Sequence, residues 1–288
     1  MNNENREFIS HLVINGGPLP QEYSELDSIL NNLAKEEIEE FRELIKPSLN
    51  IDTMHGFGFL KPFGYSGDFF MIEKIYSRWI NHNEKCEKWD IFFHNHLATQ
   101  AVRNRKQFFL DVLENIEKND EIKDKAILIL GSGPATDVAE FCENNPQSKM
   151  YFDLLDLDSK AIDYAKIKNI KHLSRLNFLK GNVLRLKPEK DYALIWSAGL
   201  FDYFGDRHFT FLMKKYIEFV RKDCELIVGN FSQNNPSQNY MEIMGDWFLN
   251  YRSEEELVKI SKNAGILKEQ IKLESEPLGI NLFMRIIK

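Results

Sequence analysis

The stretch Ala126-Ile-Leu-Ile-Leu-Gly-Ser-Gly-Pro-Ala-Thr-Asp137 decides the fold. Its apolar run is too short for a buried helix and suits a buried strand. It ends in Gly131-Ser-Gly133, and a helix-compatible segment, Ala135 to Phe141, follows. Strand, tight glycine turn and helix N-terminus form the opening unit of a nucleotide-binding α/β sheet. Glycine is needed there because the backbone must bend sharply and let a ligand approach it closely. A second apolar run, Met150-Tyr-Phe-Asp-Leu-Leu-Asp-Leu-Asp158, places Asp156 25 residues after Gly131. An acid at that strand end is positioned to accept hydrogen bonds from ribose hydroxyls, so the pattern points to an adenosine compound.

The spacing of small residues chooses among adenosine compounds. A dinucleotide fingerprint reads G-x-G-x-x-G/A, and its last small position is here Thr136. Read as G-x-G-x-A, the small residues are Gly131, Gly133 and Ala135. In this phrasing the chain resembles the class I S-adenosylmethionine (SAM)-dependent methyltransferases. The resemblance implies SAM as cofactor and S-adenosylhomocysteine as product. It implies that Asp156 holds the ribose and that Gly181-Asn-Val183 flanks the adenine. The end of the fourth strand, Ala193-Leu-Ile-Trp-Ser-Ala-Gly199, would line the methyl-transfer site. The cofactor set so implied is Gly131, Ser132, Gly133, Ala135, Asp137, Asp156, Leu157, Asn182, Val183 and Ser197. Two positions depart from the family pattern: Ile129 stands where many members carry an acid, and the third small residue is alanine. Contacts to the methionine amino group are then expected from elsewhere.

From Ile122 onward strands and helices alternate, which implies a parallel sheet covered on both faces. Strands are expected near 126–131, 150–156, 175–180, 192–198 and 224–230, with helices near 135–144, 159–168, 208–221 and 253–264. Residues 271–276 and 280–287 read as two strands joined by Pro277-Leu-Gly279, a terminal hairpin whose last strand runs antiparallel to the sheet. Residues 1 to about 120 read as helical. Their apolar faces run through Leu26, Ile29, Leu30 and Leu33, then Ile38, Phe41, Leu44 and Ile45. A glycine- and aromatic-rich loop is expected over 54–68, then helices near 70–80 and 89–116. The expected architecture is a Rossmann-like, seven-stranded α/β methyltransferase sheet at 121–288, behind a helical cap at 1–120.

At 288 residues, 43% hydrophobic and 28% charged, the chain has ordinary globular composition. No apolar run approaches the roughly 18 residues of a membrane helix, and the N-terminus lacks a signal-peptide pattern. Cys86, Cys142 and Cys224 are scattered without pairing or C-x-x-C spacing, which fits a reducing cytoplasm and no disulfide framework, and no metal site is expected. A net charge of −7 argues against broad phosphate-backbone binding. Neither nucleic acid nor membrane is expected as a partner, and nothing in the sequence specifies an oligomeric state.

Three further segments are dense in polar and aromatic groups. In Lys61-Pro-Phe-Gly-Tyr-Ser-Gly-Asp68, Tyr65 and Asp68 can reach from the cap toward a cleft; equally, Asp68 suits a helix N-cap. In Ser197-Ala-Gly-Leu-Phe-Asp-Tyr203, Asp202 and Tyr203 lie where α/β sheets bind ligands, beyond the carboxyl ends of strands. The segment 229–252 is long for a connector and carries Tyr240, Glu242, Asp246, Trp247, Tyr251 and Arg252. Its plainer reading is a helix packed on the sheet, with Arg252 in a surface ion pair. Together these segments resemble one group of methyltransferases across residues 50–265. His94-Asn-His96 does not face one way on a helix, and Arg103-Asn-Arg105-Lys106 reads as a solvated face or, alternatively, an anion clamp.

Methyl transfer requires a nucleophile held in line with the sulfonium methyl, with water excluded. Asp68, Asp202 and Glu242 are the candidate bases, and Tyr65 and Tyr240 the positioning groups. Tyr203, Asp246, Trp247, Tyr251 and Arg252 are the substrate-side candidates. A cap favours a small polar acceptor methylated on nitrogen or oxygen. A NAD-dependent oxidoreductase and a non-catalytic SAM sensor are the alternatives.

Overall fold

The computed structural model describes residues 1–288, which divide into two compact units. Residues 1–100 with 235–248 form the helical unit, and residues 101–234 with 249–288 form the sheet unit. The helices in chain order are α1 (Asn3–Ile14), α2 (Tyr23–Asn32), α3 (Ile38–Ile45), α4 (Met54–Leu60), α5 (Phe69–Ser77), α6 (Glu87–Asn95), α7 (Leu97–Lys118), α8 (Thr136–Asn144), α9 (Ser159–Lys168), α10 (Asp206–Ile217), α11 (Gln238–Met244) and α12 (Glu254–Asn263). The strands are β1 (Ala126–Leu130), β2 (Tyr151–Asp156), β3 (Leu176–Lys180), β4 (Tyr192–Ser197), β5 (Val220–Phe231), β6 (Ile271–Ser275) and β7 (Asn281–Ile287).

In the sheet unit the seven strands lie in the order β3-β2-β1-β4-β5-β7-β6. β1 to β5 pair in parallel, and β7 enters between β5 and β6 antiparallel to both. β1 and β4 are buried along their whole length, as strands covered on both faces must be. The chain leaves β1 toward β2 and later returns to β4 on β1's other side, so the order reverses between these two strands. A crevice opens at such a switch point, beyond the carboxyl ends. Helix α7 belongs to this core: Phe109 stacks on Trp196 at 4.5 Å, and Leu110, Val112 and Leu113 are buried in the same cluster. The units therefore part near residue 100, not at 120, and 235–248 groups with the helical unit.

Within the helical unit, two expected elements differ. The stretch over 54–68, expected to be a loop, begins with helix α4, capped by the Thr53 hydroxyl accepting from the Gly56 amide. Gly56 is there for closeness and not for a turn, since a Cβ would stand 2.1 Å from the Asn50 carbonyl oxygen. The expected single helix over 89–116 is broken at His96, whose backbone is extended (ψ 138°), giving α6 and α7. Helical periodicity continues across such a break and does not reveal it.

Candidate active site

The site of the sheet unit is assembled at the ends of β1, β2, β3 and β4. Gly131 and Gly133 both have positive φ (+70° and +54°), a conformation that side chains disfavour. The amides of Gly131 and Ser132 donate to the Leu155 carbonyl at 2.9 and 3.0 Å, tying the turn to β2. The Gly133 amide donates to Asp156 Oδ2 at 2.8 Å, and the Asp158 amide to Oδ1 at 2.9 Å. A Cβ on Gly133 would meet nothing within 4 Å, so the turn borders open space. Ala135, 1% exposed and itself at φ +50°, caps α8; the closeness of its surroundings calls for a small residue at the third position.

Asp156 is thus a hinge between turn and strand as well as an acceptor. Burial pushes its carboxyl up, against the opposing pull of the Asp158 and Gly133 amides. Each carboxylate oxygen offers two lone pairs, so capacity for ribose hydroxyls remains. Leu157, next in the chain, is 65% exposed, an apolar surface of the kind a nucleobase covers. The Gly181 amide donates to the Asp156 carbonyl at 2.9 Å, and Asn182 Oδ1 accepts from the Leu184 amide at 2.8 Å, which shapes the turn after β3. The Val183 carbonyl is taken by Tyr216 Oη (2.8 Å) and Lys215 Nζ (3.1 Å). Ser197 is fully buried and its hydroxyl donates to the Leu130 carbonyl at 2.9 Å, so it joins β4 to β1. Ser132 Oγ, by contrast, is buried with no hydrogen-bond partner. These residues fit an adenosyl cofactor: an open glycine turn, an acid with spare lone pairs and an exposed apolar face adjoin one another.

Asp202 follows β4 and is 1% exposed. Its Oδ1 accepts from the Phe231 amide at 2.6 Å, and its Oδ2 has no partner. Burial pushes its carboxyl up to about 6, partly offset by the Phe231 amide and the Arg105 and Arg252 charges. The Asn250 amide and side chain both donate to its carbonyl at 2.8 Å. Tyr203 is 40% exposed beside it, and Tyr251 packs edge-on to Phe231. Asp137, at the start of α8, accepts from the Val138 amide at 2.8 Å and is likewise raised to about 6 by burial.

Arg252 is not a surface ion pair. It is 3% exposed, bonds Asp206 Oδ1 (3.0 Å), Asn230 Oδ1 (2.8 Å) and the Phe204 carbonyl (2.6 Å), and lies over the Phe209 ring. With these donors engaged, it braces the β4 and β5 ends. Arg105 likewise departs from a solvated helix face: it is 6% exposed and its Nε has no partner. Lys106 does pair at the surface, with Glu140.

In the helical unit, Asp68 is the N-cap of α5, accepting from the Phe70 and Met71 amides at 2.9 and 2.8 Å. Tyr65 is 39% exposed. Asp246 (φ +46°) bonds Lys61, with Arg42 at 3.5 Å, and Trp247 is 8% exposed. Glu242 Oε1 accepts from Gln238 Nε2 at 2.8 Å. The Tyr240 ring stacks on His96 at 3.6 Å, and its buried hydroxyl has no hydrogen-bond partner, as is also true of His55 Nδ1 and of His96 Nε2, which lies 3.9 Å from Asp27 Oδ1. Burial pushes both histidines down to about 3, so both are neutral. His55 carried no signal in the sequence, because burial of a polar residue inside an apolar helix face has no spacing signature; Arg105 was visible only as one member of the 103–106 run, read as a solvated face or, alternatively, an anion clamp.

No family model and no curated protein matches the sequence. Solved structures do match in three dimensions. A structure described as a possible exported protein from Bordetella parapertussis has a TM-score of 0.68 at 12% identity, over 100% of both chains. The SAM-dependent methyltransferase SibL in its apo form has a TM-score of 0.52 at 12% identity, over 91% of this chain and 72% of its own. Magnesium protoporphyrin IX methyltransferase from Synechocystis, with bound S-adenosylhomocysteine, has a TM-score of 0.52 at 11% identity, covering 67% of this chain and 88% of its own. This is the methyltransferase fold. The antiparallel β7 between β5 and β6 belongs to that fold, and the expected α/β architecture is the one observed. No helix of the chain is long and apolar enough to cross a membrane.

Proposed function

We propose that the protein is a SAM-dependent methyltransferase acting on a small polar molecule, at nitrogen or oxygen. The observation that carries this reading is the glycine turn latched to Asp156 by the 2.8 Å Gly133 amide bond, at the switch point of this sheet. SAM, when bound, supplies an electrophilic methyl group on a sulfonium. In our reading Asp156 takes the ribose, Leu157 and the 181–183 turn flank the adenine, and the Gly131–Gly133 backbone lets the ligand lie close. Ser197 acts by holding β4 to β1, and Asp137 sits at the opening of α8.

Asp202 is the preferred base. It lies in the turn that follows β4, and burial to a pKa of about 6 suits a group that must gain a proton near neutrality. Within the sheet unit, Tyr203 and Tyr251 are assigned as substrate contacts. The three cysteines are free and buried, which supports a reducing, cytoplasmic setting. Calorimetry with SAM, S-adenosylhomocysteine and NAD tests the reading: the two sulfur ligands should bind and NAD should not. Asp156→Ala should weaken SAM by about 1.5–3 kcal/mol, the worth of hydrogen bonds to a charged acceptor. Unchanged SAM affinity in the folded variant removes Asp156 from the ribose site.

A further inference from the structure

A guanidinium keeps its charge at any ordinary pH, so burying one without an anion is strongly unfavourable. Arg105 is in that position: it is 6% exposed, its Nε has no partner, and it closes no ion pair. Its place is fixed by Gly199, just past β4, where φ is +84° and a Cβ would stand 2.7 Å from Nη1 and 3.1 Å from Nη2. The end of β4 therefore lacks a side chain where the guanidinium lies. The next residue, Leu200, packs against Gly131, with its Cβ 3.3 Å from where a Gly131 Cβ would be. Arg105, Gly199, Leu200 and Gly131 thus form a continuous row across the ends of β4 and β1.

Two carboxylates, Asp137 and Asp202, feel the Arg105 charge. Neither reaches ion-pair distance, and Asp202 Oδ2 and Ser132 Oγ in the same unit are buried without partners. The guanidinium is held near acids yet left without a counter-ion, which is the arrangement expected of a site whose anion arrives with a ligand.

We infer that Arg105 binds the carboxylate at the end of the cofactor's amino-acid chain and thereby selects a carboxylated adenosyl sulfonium over analogues that lack the carboxylate. The inference rests on the methyltransferase reading. Asp156 ends β2 and Gly199 follows β4, two strands away, a span of about 10 Å at ordinary strand spacing. A ligand with its ribose at Asp156 and its aliphatic chain along the Gly131–Gly133 turn ends at Gly199, beside the guanidinium. Arginine's planar fork meets a carboxylate with two parallel N–H groups, and the two Nη atoms, which lie where Gly199 lacks a side chain, are placed to supply them.

The test is calorimetry on the full chain with three probes: S-adenosylhomocysteine, its decarboxylated amine analogue, and methylthioadenosine, which lacks the amino-acid portion. The wild type should prefer S-adenosylhomocysteine over the decarboxylated analogue by about 10- to 100-fold, the worth of a charge-assisted pair. Arg105→Gln should lose that preference while binding methylthioadenosine within about 2-fold of wild type, and Arg105→Lys should keep part of it. The wild-type comparison stands even if a variant fails to fold. Equal wild-type affinity for the carboxylated and decarboxylated ligands overturns the inference, as does Arg105→Gln weakening methylthioadenosine and S-adenosylhomocysteine alike. Wild-type binding of methylthioadenosine without preference for the carboxylate removes Arg105 alone. Wild-type binding of none of the three removes the methyltransferase reading as well.

Discussion

Asp202→Asn should make the protein a poorer catalyst and, at alkaline pH, a relatively more stable one. Burial raises the Asp202 carboxyl from 3.8 to about 6, so its ionised form is disfavoured in the folded state. A raised carboxyl contributes stability that is fully present below the unfolded pKa and is lost as pH rises through the folded pKa. Between pH 4 and pH 8 the wild type therefore loses about 3 kcal/mol at this residue, at about 1.4 kcal/mol per tenfold change in proton affinity. Asparagine does not titrate and avoids that loss. It keeps an oxygen for the Phe231 amide but places an amide where Oδ2 has no partner, a cost of about 1–3 kcal/mol at every pH. The variant should thus be less stable than wild type at pH 4.5 and equal or more stable at pH 8. Urea unfolding followed by circular dichroism at the two pH values measures the difference. A gap between variant and wild type that is the same at both values would refute the account of a buried, unpaired carboxylate. In turnover, loss of the base should cost roughly 10²–10⁴ in rate with S-adenosylhomocysteine affinity retained.

Other outcomes follow from particular contacts. Gly133→Ala should cost about 1–2 kcal/mol in stability through its positive φ, and more in cofactor affinity, because the added Cβ enters open space at the turn; equal SAM affinity would place the cofactor elsewhere. Arg252→Leu should destabilise by about 2–4 kcal/mol in thermal unfolding, since the Phe204 carbonyl and Asn230 Oδ1 lose a donor and the exposed Asp206 does not compensate. His55 is held neutral by burial, with a pKa near 3, so its stabilising contribution is present above pH 6.5 and lost as pH falls; His55→Gln should therefore gain on wild type by about 1.4 kcal/mol per pH unit below 6.5 in urea unfolding. A chain beginning at Asp120 should not fold its sheet unit, because Phe109, Leu110, Val112 and Leu113 of α7 are core residues; protection of β1 and β4 amides in that chain would show otherwise.

Elements with a strong local signature were legible. β1, the Gly131–Gly133 turn, Asp156 and the terminal hairpin could be read because strand period, turn chemistry and chain order act over short separations. The 54–60 helix was hidden by Gly56 and Gly58, whose small size serves packing against Asn50 and Met71 and not chain reversal. The break at His96 was hidden because the apolar spacing continues through it. For Arg252 the sequence suggested a substrate contact or, more plainly, a surface ion pair, since nothing local announces that Asn230, Phe204 and Asp206 converge on it.

By itself the sequence determined the α/β order, the glycine turn with its acid and the antiparallel ending, because each depends on residues near one another in the chain. Tertiary structure alone decided which polar groups are used up and which are left open. Ser197 and Arg252 are fully occupied inside the fold, whereas Asp202 Oδ2, Ser132 Oγ and Arg105 Nε are buried without partners. Burial and pairing arise from residues far apart in the chain, such as Asp202 with Phe231 and Arg105 with Gly199. Their energies are set by the loss of water around each group, and no spacing rule along a single strand or helix encodes that loss.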